Sequence, residues 1–519
     1  MAGSFTRVGA LRAAAVMTLS TYVTVGLGLV VSAVLARSLG PEDYGRYAYM
    51  LWLVGLLVSI GNNGFPSVAT RQISELKGAG DLSSAASVYS WLKKWQTLSL
   101  VATALVFAAC MPFIEPIGWS EHVALLTVVC ILCFLPKAFF FFHTSVAKGH
   151  GAFWIEANGN MVLSVAYTLG VVVLATLHGS LLANLWWFAA VSAAHMGVMV
   201  FMLRRSDIRG SREPLQPDLK ERVGVHLRWT SLQVFIASLS NRTVETYLLA
   251  RLIGPAEVGY FAIATNLVRG GIELVSSSLT TILMPSLAHA RGAGGVAHVN
   301  MIMQDALRYF GFLGALMAGM GWLLAEPGVA LLYGTRYSDV AHTVQIMAVV
   351  SGAFLIENPF TSALATLDNH RFRTFMSTLF FALSAGFAFA LVPSHGILGA
   401  VAANGLTRLV TFLLCAFWVR RELALQLPWG DGLRTLTATG LSMALALGLR
   451  WLIDGALMQW ASGLVYAVAL TMTTLLFGLW KPKDIHLLLK ITQRFPAIGK
   501  LLGPLLRKLP PQTDSHTPS

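Results

Sequence analysis

Leu35 to Met50 reads LARSLGPEDYGRYAYM, and Leu249 to Ala264, 214 positions further on, reads LARLIGPAEVGYFAIA. Seven of the sixteen positions are identical. Each copy follows an apolar run of helix length and precedes another, so the stretch marks one helix-turn-helix corner that occurs twice in a duplicated chain.

The chain around the corners is built for lipid. Its 519 residues are 55% hydrophobic and 12% charged, with a mean hydropathy of +0.66, which leaves too little polar surface for a water-soluble globule. Runs long enough to cross a hydrocarbon core, which takes about 20 residues, recur at 13–36, 47–70, 92–114, 122–147, 159–177, 181–203, 229–253, 259–288, 306–325, 341–366, 374–393, 397–419, 433–453 and 460–480. They are continuously apolar rather than alternating, so the fold class is all-α, a polytopic membrane protein of fourteen helices rather than a barrel. The first run is too long for a cleavable signal and is expected to stay as the first helix. Cys110, Cys130, Cys133 and Cys415 all fall within runs, where thiols behave as small apolar groups.

Loop charge gives the orientation. With the N-terminus in the cytoplasm, 28 of the 37 Lys and Arg residues fall on the cytoplasmic side and five, Arg37, Arg46, Arg251, Arg336 and Arg450, on the other. The positive-inside rule then places both termini in the cytoplasm. The net charge of +13 is accounted for by these loops and the tail, so no nucleic-acid partner is expected. Both corners fall on the outer side, so the halves run in the same direction and are related by an axis along the membrane normal. A second echo, PSVA at Pro66 to Ala69 and PSLA at Pro285 to Ala288, predicts kinks in equivalent helices. The expected organisation is a six-helix lobe over 1–210, a second over 211–425, a helix pair over 426–482, and over 483–519 a basic amphipathic helix on the anionic leaflet followed by a disordered tail.

The corner after the first run, its echo after the seventh, the proline near the end of the eighth and the fourteen runs together resemble the polysaccharide flippases of the multidrug/oligosaccharidyl-lipid/polysaccharide exporter superfamily. The resemblance implies translocation of an undecaprenyl-diphosphate-linked oligosaccharide across the bacterial cytoplasmic membrane, for O-antigen, capsule or exopolysaccharide assembly. Alternating access between two lobes would drive it, with the polysaccharide polymerase and chain-length machinery as partners. It also implies that the last two helices form a groove for the lipid tail, as in the related lipid II flippases.

Seven ionisable side chains fall well inside the runs: Lys137, Arg242, Glu245, Arg269, Glu273, Glu357 and Arg408. Each costs roughly 2.5 to 3.5 kcal/mol near a helix centre on insertion scales, so each should face protein or a wet cavity. Asn266, Arg269, Glu273, Ser276, Ser277 and Thr280 follow steps of three or four and form one polar stripe. Ser231, Ser238, Asn241, Arg242 and Glu245 form a second, and Asn404, Arg408 and Thr411 a third. Guanidinium groups hold diphosphate oxygens bidentately while Asn and Ser suit sugar hydroxyls. Arg242, Arg269, Arg408, Asn241, Asn266 and Asn404 are therefore the candidate substrate-binding set, with Lys137 and, at the inward mouth, Arg71. Glu245, Glu273 and Glu357 would orient these cations or carry a coupling proton or ion. The competing reading pairs Arg242 with Glu245 and Arg269 with Glu273 along one helix face, as packing alone.

No GxxxxGK[ST] loop and no HExxH spacing occur, and the thirteen histidines are scattered singly. The sequence therefore offers no P-loop nucleotide site, no metal site and no cofactor. A glycan polymerase or ligase would need a substantial outer loop, whereas the longest here runs from about Glu326 to Asp339. An ion-coupled drug exporter would favour an acidic cavity, whereas four of the seven buried charges are basic. A transporter rather than an enzyme is the reading that remains. A reporter fused after Arg205 is expected to report the cytoplasm; a periplasmic signal would invert the topology.

Overall fold

The computed structural model describes residues 7–115, 123–240, 243–366, 370–453, 455–481 and 484. Every regular element among them is helical, as the apolar runs require. In order these are α1 Arg7–Asn62, α2 Phe65–Gly78, α3 Leu82–Ile114, α4 Val123–Gly149, α5 Phe153–Thr176, α6 Leu181–Arg205, α7 Pro217–Ser240, α8 Thr243–Leu248, a π-helical turn Leu249–Ile253, and α9 Pro255–Tyr333. Then follow α10 Val340–Ala353, α11 Glu357–Thr366, α12 His370–Glu422, α13 Trp429–Leu452 and α14 Ala456–Leu476.

Nine helices among the described residues are long and apolar enough to cross a membrane, against fourteen runs in the sequence. Part of the difference is continuity. α1, α9 and α12 each leave helical geometry at one glycine, Gly40 (φ 78°), Gly295 (φ 63°) and Gly396 (φ 55°), and each glycine lies between two apolar runs. α9 keeps its helical backbone through Pro285 and turns only at Gly295, so of the two echoed prolines only Pro66, in the first turn of α2, accompanies a break. The basic segment beyond Lys481 lies outside the described residues, apart from Asp484.

By contact the chain forms two compact units. The first comprises Met1–Ser278, Gly328–Met347 and Leu367–Phe417, the second Leu279–Pro327, Ala348–Thr366 and Trp418–Ser519.

The first unit contains both corners, and they meet. Gly40 and Gly254 end their helices at φ 78° and φ 147°, conformations that favour glycine. Pro41 and Pro255 then open the next helices, where a missing N–H loses nothing. One turn on, Gly45 and Gly259 pack face to face. A Cβ on Gly45 would lie 1.7 Å from the Pro255 carbonyl oxygen, and one on Gly259 would lie 3.1 Å from the Pro41 carbonyl oxygen and from the Gly45 Cα. All four residues are counterparts at the 214-residue offset, so the contact is self-complementary, as in a two-fold interface.

The corner arginines are exchanged in the same way. Arg37 donates from Nε to the Leu332 carbonyl (3.0 Å) and from Nη2 to that of Leu331 (2.5 Å), near the end of α9. Arg251, its counterpart, donates to the Glu115 carbonyl (2.7 Å) just after α3. Each thereby satisfies carbonyls that a helix terminus leaves without intrahelical partners. Buried tyrosines seal the joint: the Tyr44 hydroxyl pairs with Ser32 (2.7 Å), Ser32 with Tyr333 (3.1 Å), and Tyr337 donates to the Ala36 carbonyl (2.8 Å).

At the opposite ends of these helices an apolar core of Phe65, Ile73, Val88, Leu92, Phe142, Ile155 and Met199 joins α2 to α6. The helix break at Asn63 (φ 45°) and Gly64 is braced by side chains. Asn62 donates to the Ala138 carbonyl (3.0 Å) and accepts from Gln96 (2.8 Å), while Ser99 donates to the Gly61 carbonyl (2.9 Å). A buried backbone break in lipid needs such partners.

In the second unit, α13 and α14 pack on the later half of α9 through Leu323, Ala438, Ala446, Tyr466 and Leu470. Gly319 leaves room for the Tyr466 ring, whose hydroxyl donates to the Ala315 carbonyl (2.7 Å). Exposed Trp429 and Trp451 mark the two ends of α13. At 1.5 Å per residue they stand about 33 Å apart, which matches the two aromatic belts of a bilayer. Below this pair lies an ion network. Buried Arg308 bridges Asp484 (2.7 Å) and Asp305 (3.2 Å), Lys481 reaches Asp305 (3.1 Å), and Tyr309 donates to Asp484.

Two outcomes follow from these contacts. Gly45→Ala should destabilise the purified protein by about 1–3 kcal/mol and by more than Gly259→Ala, read as thermal midpoints in detergent; equal midpoints for all three proteins would refute the corner contact. Asp484→Ala removes one of the two carboxylates that meet buried Arg308 and should cost about 1.5–3 kcal/mol, whereas Arg434→Ala, at an exposed pair, should cost less than about 1 kcal/mol.

Candidate functional site

Directly beneath the corner contact, in the first unit, lies a cavity of about 390 Å³, within the roughly 300–1,000 Å³ of ligand pockets. Its wall is built from helix faces at steps of three and four. The first half of α1 supplies Gly28, Val31, Ser32 and Leu35, and the second half Tyr44, Tyr47, Ala48, Leu51 and Trp52. α9 supplies Val258, Phe261, Ala262, Thr265, Asn266 and Arg269, α8 adds Thr246 and α5 adds Tyr167.

The two principal faces are copies of one another. Tyr44, Tyr47, Ala48, Leu51 and Trp52 sit at the 214-residue offset from Val258, Phe261, Ala262, Thr265 and Asn266. Backbone placement is therefore shared while chemistry is divided. The α1 face presents Tyr44, Tyr47 and Trp52, and the α9 face keeps one ring, Phe261, and adds a hydroxyl, a carboxamide and, one turn on, a guanidinium. Rings for stacking on one side and directed polar groups on the other suit an amphiphilic, hydroxyl-rich ligand with an anionic group.

The rings are held in place. Tyr47 and Tyr167 share a hydroxyl–hydroxyl hydrogen bond, and Trp187 donates to the Tyr167 carbonyl (3.1 Å). Phe188 meets Tyr167 edge-on at 5.9 Å, and the Lys137 ammonium lies 4.5 Å from the Phe188 ring centre. Lys137 thus stands one aromatic layer behind the wall. At the corner, outside the runs, Glu257 is held above the ordinary carboxylate range by burial and by the neighbouring Asp339 carboxylate, so the strain there eases as pH falls.

Of the polar stripes, the structure brings Asn266 and Arg269 into the cavity wall. Glu245 is fully buried and accepts from the Ser384 hydroxyl (2.8 Å), while the next residue, Thr246, lines the cavity. Asn404 and Arg408 are half-buried on α12 and are not part of this wall. Arg71 is exposed on α2, beside His226. Glu357 belongs to the second unit, in the first turn of α11. Asn241 and Arg242 lie outside the described residues, as does the side chain of Glu273.

Sequence reasoning passed over Tyr47, Trp52, Tyr167 and Phe261. Aromatic residues in an apolar run carry no signal of facing a cavity, but projecting the Asn266 and Arg269 stripe back by the repeat offset onto Trp52 and Gly55 would have found that face. It also counted Arg308 among loop charges, because it sits two residues inside its run.

A family model described as polysaccharide biosynthesis protein matches residues 10–290, more than half of the chain. The succinoglycan biosynthesis transport protein ExoT of Rhizobium meliloti is 24% identical over 63% of the chain, which spans 63% of that protein's length. The lipid III flippase of Escherichia coli is 24% identical over 78% of the chain and 97% of its own. Among solved structures, the lipid II flippase MurJ in an inward closed conformation superposes with a TM-score of 0.70 at 14% identity, covering 88% of this chain and 98% of that one. An inward-facing multidrug resistance MATE transporter of the MOP superfamily gives 0.62 at 14% identity, over 78% and 94%. With its repeated corners and the cavity beneath them, the chain belongs to the polysaccharide biosynthesis protein family and carries the all-helical membrane-transporter fold of MurJ and the MATE proteins.

Proposed function

We propose that the protein is a flippase that moves a lipid-linked oligosaccharide across the bacterial inner membrane for surface polysaccharide assembly. The observation that carries this reading is the divided cavity, with tyrosine and tryptophan faces opposite Asn266 and Arg269. Sugar rings stack on aromatic faces and offer hydroxyls to carboxamides, and a diphosphate accepts a guanidinium fork. The kinships to a succinoglycan transport protein and a lipid III flippase support the same substrate class.

The cycle we infer uses the corner contact as one gate. While Gly45 and Gly259 are packed, the corner end of the cavity is shut, and the substrate enters from the cytoplasmic side. Separation of the two six-helix lobes, 1–210 and 211–425, opens the corner end and closes the other. Arg242, together with Arg408 and Asn404 on α12, would meet the substrate as it moves, Lys137 would set the field behind the aromatic wall, and Arg71 would receive the diphosphate at the mouth. Glu245, Glu273 and Glu357 would balance these charges or carry the coupling proton or ion. The α13–α14 pair would guide the lipid tail, and a polysaccharide polymerase would take the product on the far side.

A null strain should lose surface polysaccharide and accumulate the lipid-linked repeat unit facing the cytoplasm. Unchanged drug sensitivity separates this outcome from drug export, and accumulation of the unpolymerised unit on the periplasmic face would indicate a polymerase instead. In a complemented strain, Arg269→Ala should cut export roughly 10- to 100-fold at equal membrane abundance, the loss of one charged hydrogen-bonding group. Wild-type export from that variant would remove Arg269 from the site.

A further inference from the structure

A second cleft, of about 460 Å³, opens in the first unit between α3, α4, α6 and the loop that follows α6. It shares no lining residue with the central cavity. We propose that this cleft binds the phosphate of an anionic membrane phospholipid.

Three cations line it: Lys93 on α3, Arg204 at the end of α6 and Arg209 in the loop. Ser90 and Tyr89 add hydroxyls. Asp207 pairs with Arg209 at 3.2 Å, both well exposed, and no carboxylate among the described residues lines the cleft. The local charge is therefore positive and open to an anion.

The site is shaped in advance. Ile208 is buried and its N–H donates to the Leu203 carbonyl (3.0 Å), Asp207 adopts φ 54°, and the Ser211 N–H donates to the Ala86 carbonyl (3.2 Å) on α3. Gly210 consequently lies so close to α3 that a Cβ there would be 2.2 Å from the Ser90 Oγ. Little ordering is left for a ligand to impose, which favours binding.

The surroundings select a lipid over a free ion. On the other face of α3, at the level of Lys93, Trp91 and Trp95 pack with ring centres 6.3 Å apart, and Trp95 is exposed, as expected at headgroup level. On α6, Val200 lines the cleft and exposed Phe201 stands three residues deeper than Arg204. A phosphate seated among the cations would leave its acyl chains against these apolar side chains, the arrangement of a basic headgroup pocket between helices.

The test uses the full chain purified in an uncharged detergent, with thermal midpoints followed against phosphatidylglycerol, phosphatidylcholine or inorganic phosphate. Phosphatidylglycerol should raise the midpoint saturably and phosphatidylcholine should not. Lys93→Gln combined with Arg204→Gln should weaken the apparent affinity for phosphatidylglycerol about 30-fold, the loss of two headgroup cations. A double variant with the wild-type lipid dependence would overturn the proposal. Equal saturation by inorganic phosphate, lost in the variant, would keep the phosphate site and overturn its lipid occupant. Native mass spectrometry of the wild type reads the same question without a variant: retention of no phosphatidylglycerol also overturns it.

Discussion

The approach of Gly45 to Gly259 is the constraint from which the rest of the first unit follows. Two helices that each begin with Gly-Pro can cross at backbone distance only if both lack a side chain at the crossing point, and a Cβ 1.7 Å from a carbonyl oxygen has no accommodating rotamer. The helix ends beside the crossing leave carbonyls without intrahelical partners. Arg37 and Arg251 satisfy them by exchange, each reaching the end of a helix in the other half. Removal of either arginine would therefore weaken a joint between halves and not merely a local turn.

The buried charges obey the same accounting. Arg308 sits at 3% exposure, yet it meets two carboxylates, and Glu245 at 0% accepts a serine hydroxyl. In a medium of low dielectric an ion pair need not stabilise relative to apolar packing, but breaking one member leaves an uncompensated charge. Arg308 and its partners fix the chain leaving α14 against the helix that α13 and α14 cover. Arg269 differs in kind: it lies half-buried in a cavity wall, where a ligand can reach it.

The fold was legible where sequence pattern and physical requirement coincide. Positive φ favours glycine, helix starts accept proline, and lipid demands apolar runs, so the corners and the helical class could be read directly. The α9 stripe was legible because Asn266 and Arg269 are anomalous in an apolar helix. Tyr47, Trp52 and Tyr167 were not, because an aromatic ring is equally at home against lipid, in a core or in a cavity wall. The meeting of the two corners was also hidden, since a repeat states that two segments are alike and not that they touch. Arg308 escaped because proximity to the end of a run looks the same for a snorkelling cation and for a buried one.

The corner repeat also explains which of its positions are alike. Leu35, Ala36, Arg37, Gly40, Pro41 and Gly45 match their counterparts, and these are the positions that are buried, cap a helix, turn the chain or touch the other copy. A self-complementary contact imposes one requirement on both copies, because each residue meets its own equivalent or that residue's neighbour. Positions facing the cavity carry no such requirement, because they meet a ligand that has no two-fold symmetry. Where both copies of a position line the cavity, Tyr44, Tyr47, Leu51 and Trp52 differ from Val258, Phe261, Thr265 and Asn266, and only Ala48 and Ala262, too small to direct a ligand, remain the same. A wall of Tyr44, Tyr47 and Trp52 paired with one that sets Thr265 and Asn266 beside Phe261 is thus what a symmetric scaffold becomes when its gate must stay symmetric and its cargo is not.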